Sequence, residues 1–242
     1  MSFLVAIPIY NEEEYVANVI REVKKYADHI LVVDDGSRDA TPKLLAGIGG
    51  IDVIKHGTNQ GYGSSLIDAF AHASRGNHEY IITMDCDEQH QPSQIRQFIE
   101  EAPKADIISG SRYMRPCPDC DAPPQDRRSI NATITGLINE LTGYRLTDAF
   151  CGFKTYRMGR LCELRLTEPG YGMPLQLWLQ AAKHGLSVCE IPVRIIYGDP
   201  GRGFGHGLDD ADARLQYYME VIEREKQVPA PARCDCRGGR CR

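Results

Sequence analysis

Four short apolar runs in the first half of this 242-residue chain each break off into a polar or glycine-rich stretch. FLVAIPI ends in YNEE, ILVV in DDGSRDAT, DVIK in HGTNQGYG, and YIITM in DCDEQH. No other feature restricts the fold as strongly. Short runs rich in β-branched residues, separated by helical patterns, read as strands. Strands are predicted at residues 3–9, 30–33, 52–55 and 80–84, with a short fifth at 107–109. Between the first two, residues 12–26 carry Val16, Val19, Ile20 and Val23 at helical spacing. Further helices are predicted at 42–46, 63–73 and 91–101, the last with a proline near its start, where a helix tolerates one. Strands alternating with helices imply a parallel sheet covered on both faces. In such a sheet, ligands lie beyond the carboxyl ends of the strands. The four polar stretches are therefore expected to line one site.

The second half is less regular. Residues 113–126 form a Pro- and Cys-rich loop, and a helix is predicted at 128–141. Residues 147–157 hold a turn and a strand. A helix at 174–184 is stopped by Gly185, a strand follows at 188–196, then a glycine-rich loop at 197–207 and a helix at 208–225. Asp209, Asp210 and Asp212 suit that helix's N-terminus, where the dipole favours negative charge. Residues 228–242 (VPAPARCDCRGGRCR) have no apolar periodicity and read as a flexible tail.

Charge and cysteine content narrow the class. A net charge of −5 argues against nucleic-acid binding through overall basicity. No stretch approaches the roughly 18–20 apolar residues of a membrane span. The start, MSFLVAIPIYNEEE, lacks a basic n-region and reads as a strand rather than a signal peptide. Nine cysteines, an odd number, fit a reduced cytoplasmic compartment.

The stretch MDCDEQHQP carries the sharpest chemical signal. In an extended chain residues i and i+2 share a face, so Asp85 and Asp87 point together while Cys86 turns into packing. Two carboxylates about 5.5 Å apart repel by about 3 kcal/mol at an effective dielectric of about 20. A divalent cation on oxygen ligands offsets that, and Mg²⁺ or Mn²⁺ commonly joins one or two carboxylates to substrate phosphates. Gln89 could add a carbonyl oxygen. A solvated acidic turn is the plainer alternative. Asp34, Asp35, Asn11 and Glu12 end neighbouring strands at the same edge, and together these polar ends describe a nucleotide-diphosphate pocket.

With those residues in place, the chain resembles the family 2 glycosyltransferases of GT-A fold, and within them the dolichol-phosphate mannosyltransferase branch. The matching stretches are IPIYNEE, VVDDGSRDAT, NQGYGSSLIDAFAHA, MDCDEQHQP, SGSRY, the basic pair Arg127 and Arg128, TDAFCGFKTYR and EIPVRIIY. The resemblance covers about residues 3 to 197. It implies an α/β, Rossmann-like nucleotide-diphospho-sugar transferase fold with a mostly parallel central sheet and helices on both faces. One catalytic domain would span residues 1–226, with a nucleotide-sugar half (1–111) and an acceptor half (112–226), followed by a Cys-rich tail (227–242). It implies that Pro8, Tyr10, Asn11 and Glu12 line the nucleotide pocket and that Asp35 contacts the base. Asp85, Asp87 and Gln89 would hold Mg²⁺ or Mn²⁺ on the diphosphate. Arg112, with Arg127 or Arg128, would meet an acceptor phosphate. Asp148 sits where the family keeps an acid near the acceptor. The late helix carries Gln176 where the resemblance leads one to expect a carboxylate, a departure that bears on sugar recognition.

The implied reaction is inverting, metal-dependent transfer of mannose or glucose from a nucleoside-diphosphate sugar, such as GDP-mannose or UDP-glucose, to a polyprenyl phosphate. A phosphate acceptor needs little help from a base. A hydroxyl acceptor requires one, and Asp148 is then the candidate. A soluble hydroxyl or phosphorylated small-molecule acceptor, or a non-catalytic nucleotide-sugar-binding subunit, are the alternatives. A lipid acceptor would bring the chain to the inner face of a membrane, directly or through a membrane partner.

Two further features stand apart. Cys117 and Cys120, with Cys234 and Cys236, could close a four-thiolate zinc site, or remain reduced loop thiols. Cys86, Cys151, Cys162 and Cys189 sit among apolar residues and read as core. The loop at 198–207 could be a lid bringing Arg202 and His206 to the diphosphate, or a mobile surface loop.

Overall fold

The computed structural model describes residues 1–115, 124–194, 203 and 207–229. Among these, seven strands form one sheet: β1 (Phe3–Ile9), β2 (Ile30–Asp34), β3 (Asp52–Lys55), β4 (Tyr80–Thr83), β5 (Ile107–Ser111), β6 (Lys154–Arg157) and β7 (Val188–Pro192). Their order is β3-β2-β1-β4-β6-β5-β7. β1, β2, β3 and β4 pair in parallel, as do β5 and β7. β6 runs antiparallel to both β4 and β5. The carboxyl ends of β1 to β5 therefore share one edge, and β6 enters the sheet from that edge. The loop before β6 is delivered to the same place.

Among the described residues eight helices cover the sheet: α1 (Val16–Val23), α2 (Thr41–Ala46), α3 (Tyr62–Arg75), α4 (Ile95–Glu101), α5 (Gln125–Thr142), α6 (Met158–Leu161), α7 (Met173–Lys183) and α8 (Ala211–Lys226). The period-two alternation of β1 divides the core. Leu4 and Ala6 pack with α3, α5, α7 and α8 around Ile134, Trp178 and Ile222. Val5, Ile7 and Ile9 pack with α1 and α4 around Val19, Phe98 and Phe153. α1 buries Val16, Val19, Ile20 and Val23, each worth about 1.5–3 kcal/mol relative to exposure.

The predicted elements recur with shifted ends. α1 is shorter than the expected 12–26, because the segment before it turns to meet the β2 loop: the Glu12 N–H donates to Thr41 Oγ1 at 2.8 Å. The expected 91–101 helix opens as a 3₁₀ turn at Pro92–Gln94 before α4. α8 starts at Ala211 because Asp210 caps it, its Oδ1 accepting the Ala213 N–H at 2.8 Å. Of the four cysteines read as core, Cys86 and Cys151 are buried, Cys189 is half-buried and Cys162 is exposed. Cys162 follows a single-turn helix whose apolar residues Met158 and Leu161 face inward and leave it outside. Among the described residues no helix is long and apolar enough to cross a membrane.

Candidate active site

One cleft of about 1080 Å³ opens at the shared strand edge. Its wall includes Pro8 near the end of β1, Tyr10, Asn11 and Glu12 after it, Asp35 after β2, Gln60 to Tyr62 after β3, and Asp85, Asp87 and Gln89 after β4. Arg112 and Tyr113 after β5, Arg127 and Asn131 on α5, and Phe150 before β6 complete it on the far side. The sheet thus brings together the described residues that the sequence assigns to the donor, metal and acceptor sites, except Asp34, Arg128 and Asp148, which do not line the cleft. Arg202, His206 and the cysteines 117, 120, 234 and 236 lie outside the described residues, as does nearly all of the 198–207 loop.

The nucleotide side is built from turns that clasp one another. Asn11 adopts φ +55°, its N–H donating to Ser37 Oγ at 2.9 Å and its Oδ1 accepting the Arg38 N–H at 2.8 Å. Asp35, 4% exposed, accepts from the Gln60 and Gly61 N–H groups at 2.8 Å each. It also receives the Nδ1 of His56 at 2.6 Å, while His56 Nε2 reaches Asp68 at 2.9 Å. Burial works against the His56 imidazolium, but the two flanking carboxylates outweigh it and raise its pKa. Sequence reasoning has no signal for His56 beyond its place in a polar strand end.

The raised value has a measurable consequence. A folded-state pKa above the unfolded one adds stability that is complete below the unfolded pKa and is lost as pH rises through the folded one. From about pH 6.5, the ordinary value for His, upward through the raised value, the melting temperature should therefore fall. His56→Gln should flatten that slope. Thermal unfolding of both proteins between pH 6 and 9 checks it, and identical slopes would remove His56 as the clamp.

The metal side rests on Asp85 and Asp87. Asp85 Oδ1 accepts the Tyr62 hydroxyl at 3.1 Å. The backbone N–H of Asp85 lies 3.1 Å from His90 Nδ1, and His90 Nε2 lies 3.9 Å from the Cys151 sulfur. Behind Asp85 lies Gly152: a Cβ there would meet Asp85 Oδ2 at 2.2 Å, so only glycine leaves the carboxylate its seat. Asp87 Oδ1 accepts the Gln89 N–H at 3.1 Å, closing the turn that aims both acids into the cleft. Among the described residues no group of three or more His, Cys, Asp or Glu is placed to hold a metal ion. The protein side offers two carboxylates and an amide, a hard oxygen set that fits Mg²⁺ or Mn²⁺ sharing its remaining positions with a diphosphate.

The side that the resemblance assigns to the acceptor centres on the ion pair of Arg112 with the buried Asp148. Arg112 Nε and Nη2 donate to Asp148 Oδ2 and Oδ1 at 2.6 and 3.0 Å. The Arg112 N–H, the Asn131 amide at 2.8 Å and the Phe150 N–H at 3.1 Å complete five hydrogen bonds on Asp148. Asp148 is fully buried. Burial alone would raise its pKa, but the Arg112 guanidinium and the Asn131 amide outweigh that and hold it far below the ordinary carboxylate range. Against the expectation of Asp148 as a general base, the carboxylate is fully buried, lies off the cleft and spends its oxygens on five donors, two of them from the Arg112 guanidinium. Glu190 on β7 supports the same turn, accepting from the Thr147 and Asp148 N–H groups at 2.8 and 3.1 Å. Of the basic pair, Arg127 faces the cleft and Arg128 is exposed.

Gln176 also departs from expectation. It lies away from the cleft, buried, with its amide donating to Glu225 Oε2 at 2.8 Å and accepting the Thr167 and Glu168 N–H groups. It ties α7 to α8 and to the loop before α7, so it does not face a sugar.

Comparison with known proteins bears on this arrangement. The sequence model of the family described as Glycosyl transferase family 2 matches residues 4–163. The chain is 30% identical over 201 residues to polyprenol monophosphomannose synthase of Mycolicibacterium smegmatis, covering 78% of this chain and 76% of that protein. It is 27% identical over 210 residues to undecaprenyl-phosphate mannosyltransferase of Micrococcus luteus, covering 83% and 86%. Among solved structures, glucosyl-3-phosphoglycerate synthase of Mycobacterium tuberculosis, in complex with Mn²⁺, UDP and glucosyl-3-phosphoglycerate, superposes with a TM-score of 0.70 at 17% identity. It covers 94% of this chain and 81% of that one. That likeness is one of fold.

Proposed function

This chain belongs to glycosyl transferase family 2 and is a glycosyltransferase, and we propose that it moves mannose or glucose from a nucleoside-diphosphate sugar to a polyprenyl phosphate. The observation that carries the acceptor class is the Arg112–Asp148 pair. An arginine fixed by a bidentate carboxylate, yet still reaching the cleft, is suited to phosphate oxygens. The similar chains named for polyprenol and undecaprenyl-phosphate transfer support a lipid carrier for that phosphate.

The chemistry follows from charge. A phosphate monoester acceptor is already anionic near neutral pH, so its oxygen attacks without a base, which agrees with an Asp148 buried off the cleft. Arg112 and Arg127 orient the acceptor oxygen toward the anomeric carbon. The new carbon–oxygen bond forms on the face opposite the departing diphosphate, whose oxygen takes the bonding electrons, and the configuration inverts. A divalent cation, when bound by Asp85, Asp87 and Gln89, supplies charge stabilisation for the diphosphate. Asp35 and the Asn11 turn form the wall for the base and ribose. A transferase using a lipid phosphate works at a membrane face, as a peripheral protein or with a membrane partner.

Calorimetric titration of a nucleoside-diphosphate panel, GDP and UDP included, with and without Mn²⁺ tests the donor side. One nucleotide should bind tightly with metal and far more weakly without it; binding by none would overturn the reading. Radiolabelled transfer to a polyprenyl phosphate and to 3-phosphoglycerate then tests the acceptor, and label moving only to the soluble phosphate would replace the lipid.

A further inference from the structure

The loop between β3 and α3 carries a side chain with no part in the transfer chemistry as derived from charge. Tyr62 opens α3 and lines the cleft. Its hydroxyl donates to Asp85 Oδ1 at 3.1 Å, and its ring stacks on Tyr171 at a centroid distance of 5.6 Å and an interplanar angle of 15°. The backbone leading into it is fixed from two directions. Asp35 accepts the N–H groups of Gln60 and Gly61. Gly61, at φ +102°, lies so close to the loop before α7 that a Cβ would meet the Pro169 carbonyl oxygen at 2.4 Å. Tyr62 therefore has little freedom, and its hydroxyl is presented to one carboxylate oxygen. The other oxygen, Oδ2, lies over Gly152 and 3.8 Å from His90 Nδ1. Asp85 is thus held from three sides, by Tyr62, by Gly152 and through its own N–H by His90.

We propose that Tyr62 is a positioning residue whose hydroxyl orients the Asp85 carboxylate for the divalent cation. This rests on the metal-dependent reading of the site. With Oδ2 seated over Gly152 and Oδ1 bonded to Tyr62, the hydroxyl fixes the rotation of the carboxylate, and loss of such outer partners typically weakens metal affinity about 10- to 100-fold. The paired acids repel one another, so without this donor Asp85 is free to rotate away from Asp87.

The test is Mn²⁺ binding to the whole chain with a saturating nucleoside diphosphate, GDP or UDP, followed by the electron paramagnetic resonance of free Mn²⁺. Tyr62→Phe, which removes one oxygen, should weaken Mn²⁺ about tenfold, while metal-free nucleotide affinity and the melting temperature stay at wild-type values. Gly152→Ala, which crowds the same carboxylate from the opposite side, should also weaken Mn²⁺, with a lower melting temperature from the clash. Wild-type Mn²⁺ affinity in either variant overturns the proposal. So does an equal loss of metal-free nucleotide affinity in Tyr62→Phe, which would make Tyr62 a nucleotide contact. If the wild-type chain itself binds no Mn²⁺ with either nucleotide, the metal-dependent reading falls, and this inference with it.

Discussion

Asp148→Ala is expected to lower the melting temperature by about 10 °C and to abolish transfer. The carboxylate is buried and takes five hydrogen bonds, two of them from the Arg112 guanidinium. Removing it leaves the Arg112 guanidinium, 18% exposed at the cleft, without its partner, and the cost lies at or below the figure of about 3–5 kcal/mol for breaking a fully buried pair. In a domain of this size each kcal/mol shifts the midpoint by about 2–4 °C. The double change Arg112→Met with Asp148→Leu separates stability from function. The double variant removes the unpaired charge but leaves the Arg112 backbone N–H, the Asn131 amide and the Phe150 N–H without their acceptor, so it should recover part of the lost melting temperature and still fail to transfer. An active double variant would remove Arg112 from the acceptor site. The pH dependence has a definite sign. The folded-state pKa of Asp148 lies below its ordinary value near 3.8, so its contribution is present above that pH. It is lost as pH falls through the folded value. The gap between wild type and Asp148→Ala should therefore be constant from neutral pH to about pH 4 and close only in stronger acid.

The Arg112–Asp148 pair also marks the limit of what sequence can disclose. β1 to β5 are legible because each is a short apolar run bounded by turn chemistry, and parallel pairing places their polar ends at one edge without further information. Hence Asn11, Asp35, Asp85 and Asp87 can be grouped from the order of residues alone, whereas Arg112 enters only through the family resemblance. β6 is different. Its segment reads as a strand, but nothing in KTYR says that it enters antiparallel between β4 and β5. That insertion carries Asp148 beneath Arg112, 36 residues away in sequence. Taken as a residue near an acceptor, Asp148 looks like a base; its burial and five donors, visible only in the fold, argue instead for a group that holds Arg112 in place. Tyr62 and His56 are hidden for a related reason. Their roles are pairings with acids on other strands, and one-dimensional spacing does not encode which strand ends converge. At Gln176 the resemblance leads one to expect a carboxylate bearing on sugar recognition, but α7 turns that face toward Glu225, which the sequence does not disclose.

Asp87→Ala is expected to reduce transfer by about 10²–10³-fold, the loss typical when one preorganised electrostatic group at a charged transition state is removed. Its stability should move the other way or not at all. Asp87 sits half-buried on a loop at the cleft, and in the absence of cation it shares that edge with the like charge of Asp85. Deleting it relieves repulsion of about 3 kcal/mol at most, by the Coulomb figure for carboxylates about 5.5 Å apart at a dielectric of about 20. Against this stands the loss of the hydrogen bond from the Gln89 N–H, worth about 1 kcal/mol net. A site shaped for a cation predicts that opposition: the metal-free protein is indifferent to Asp87 or better without it, and the reaction depends on it. An ordinary acidic turn predicts the reverse, with stability falling and chemistry untouched. Melting curves in chelator, set beside kcat for labelled sugar transfer in Mn²⁺, distinguish the two. A variant that transfers at the wild-type rate would return Asp85 and Asp87 to the status of a polar turn and leave the cleft without its leaving-group side.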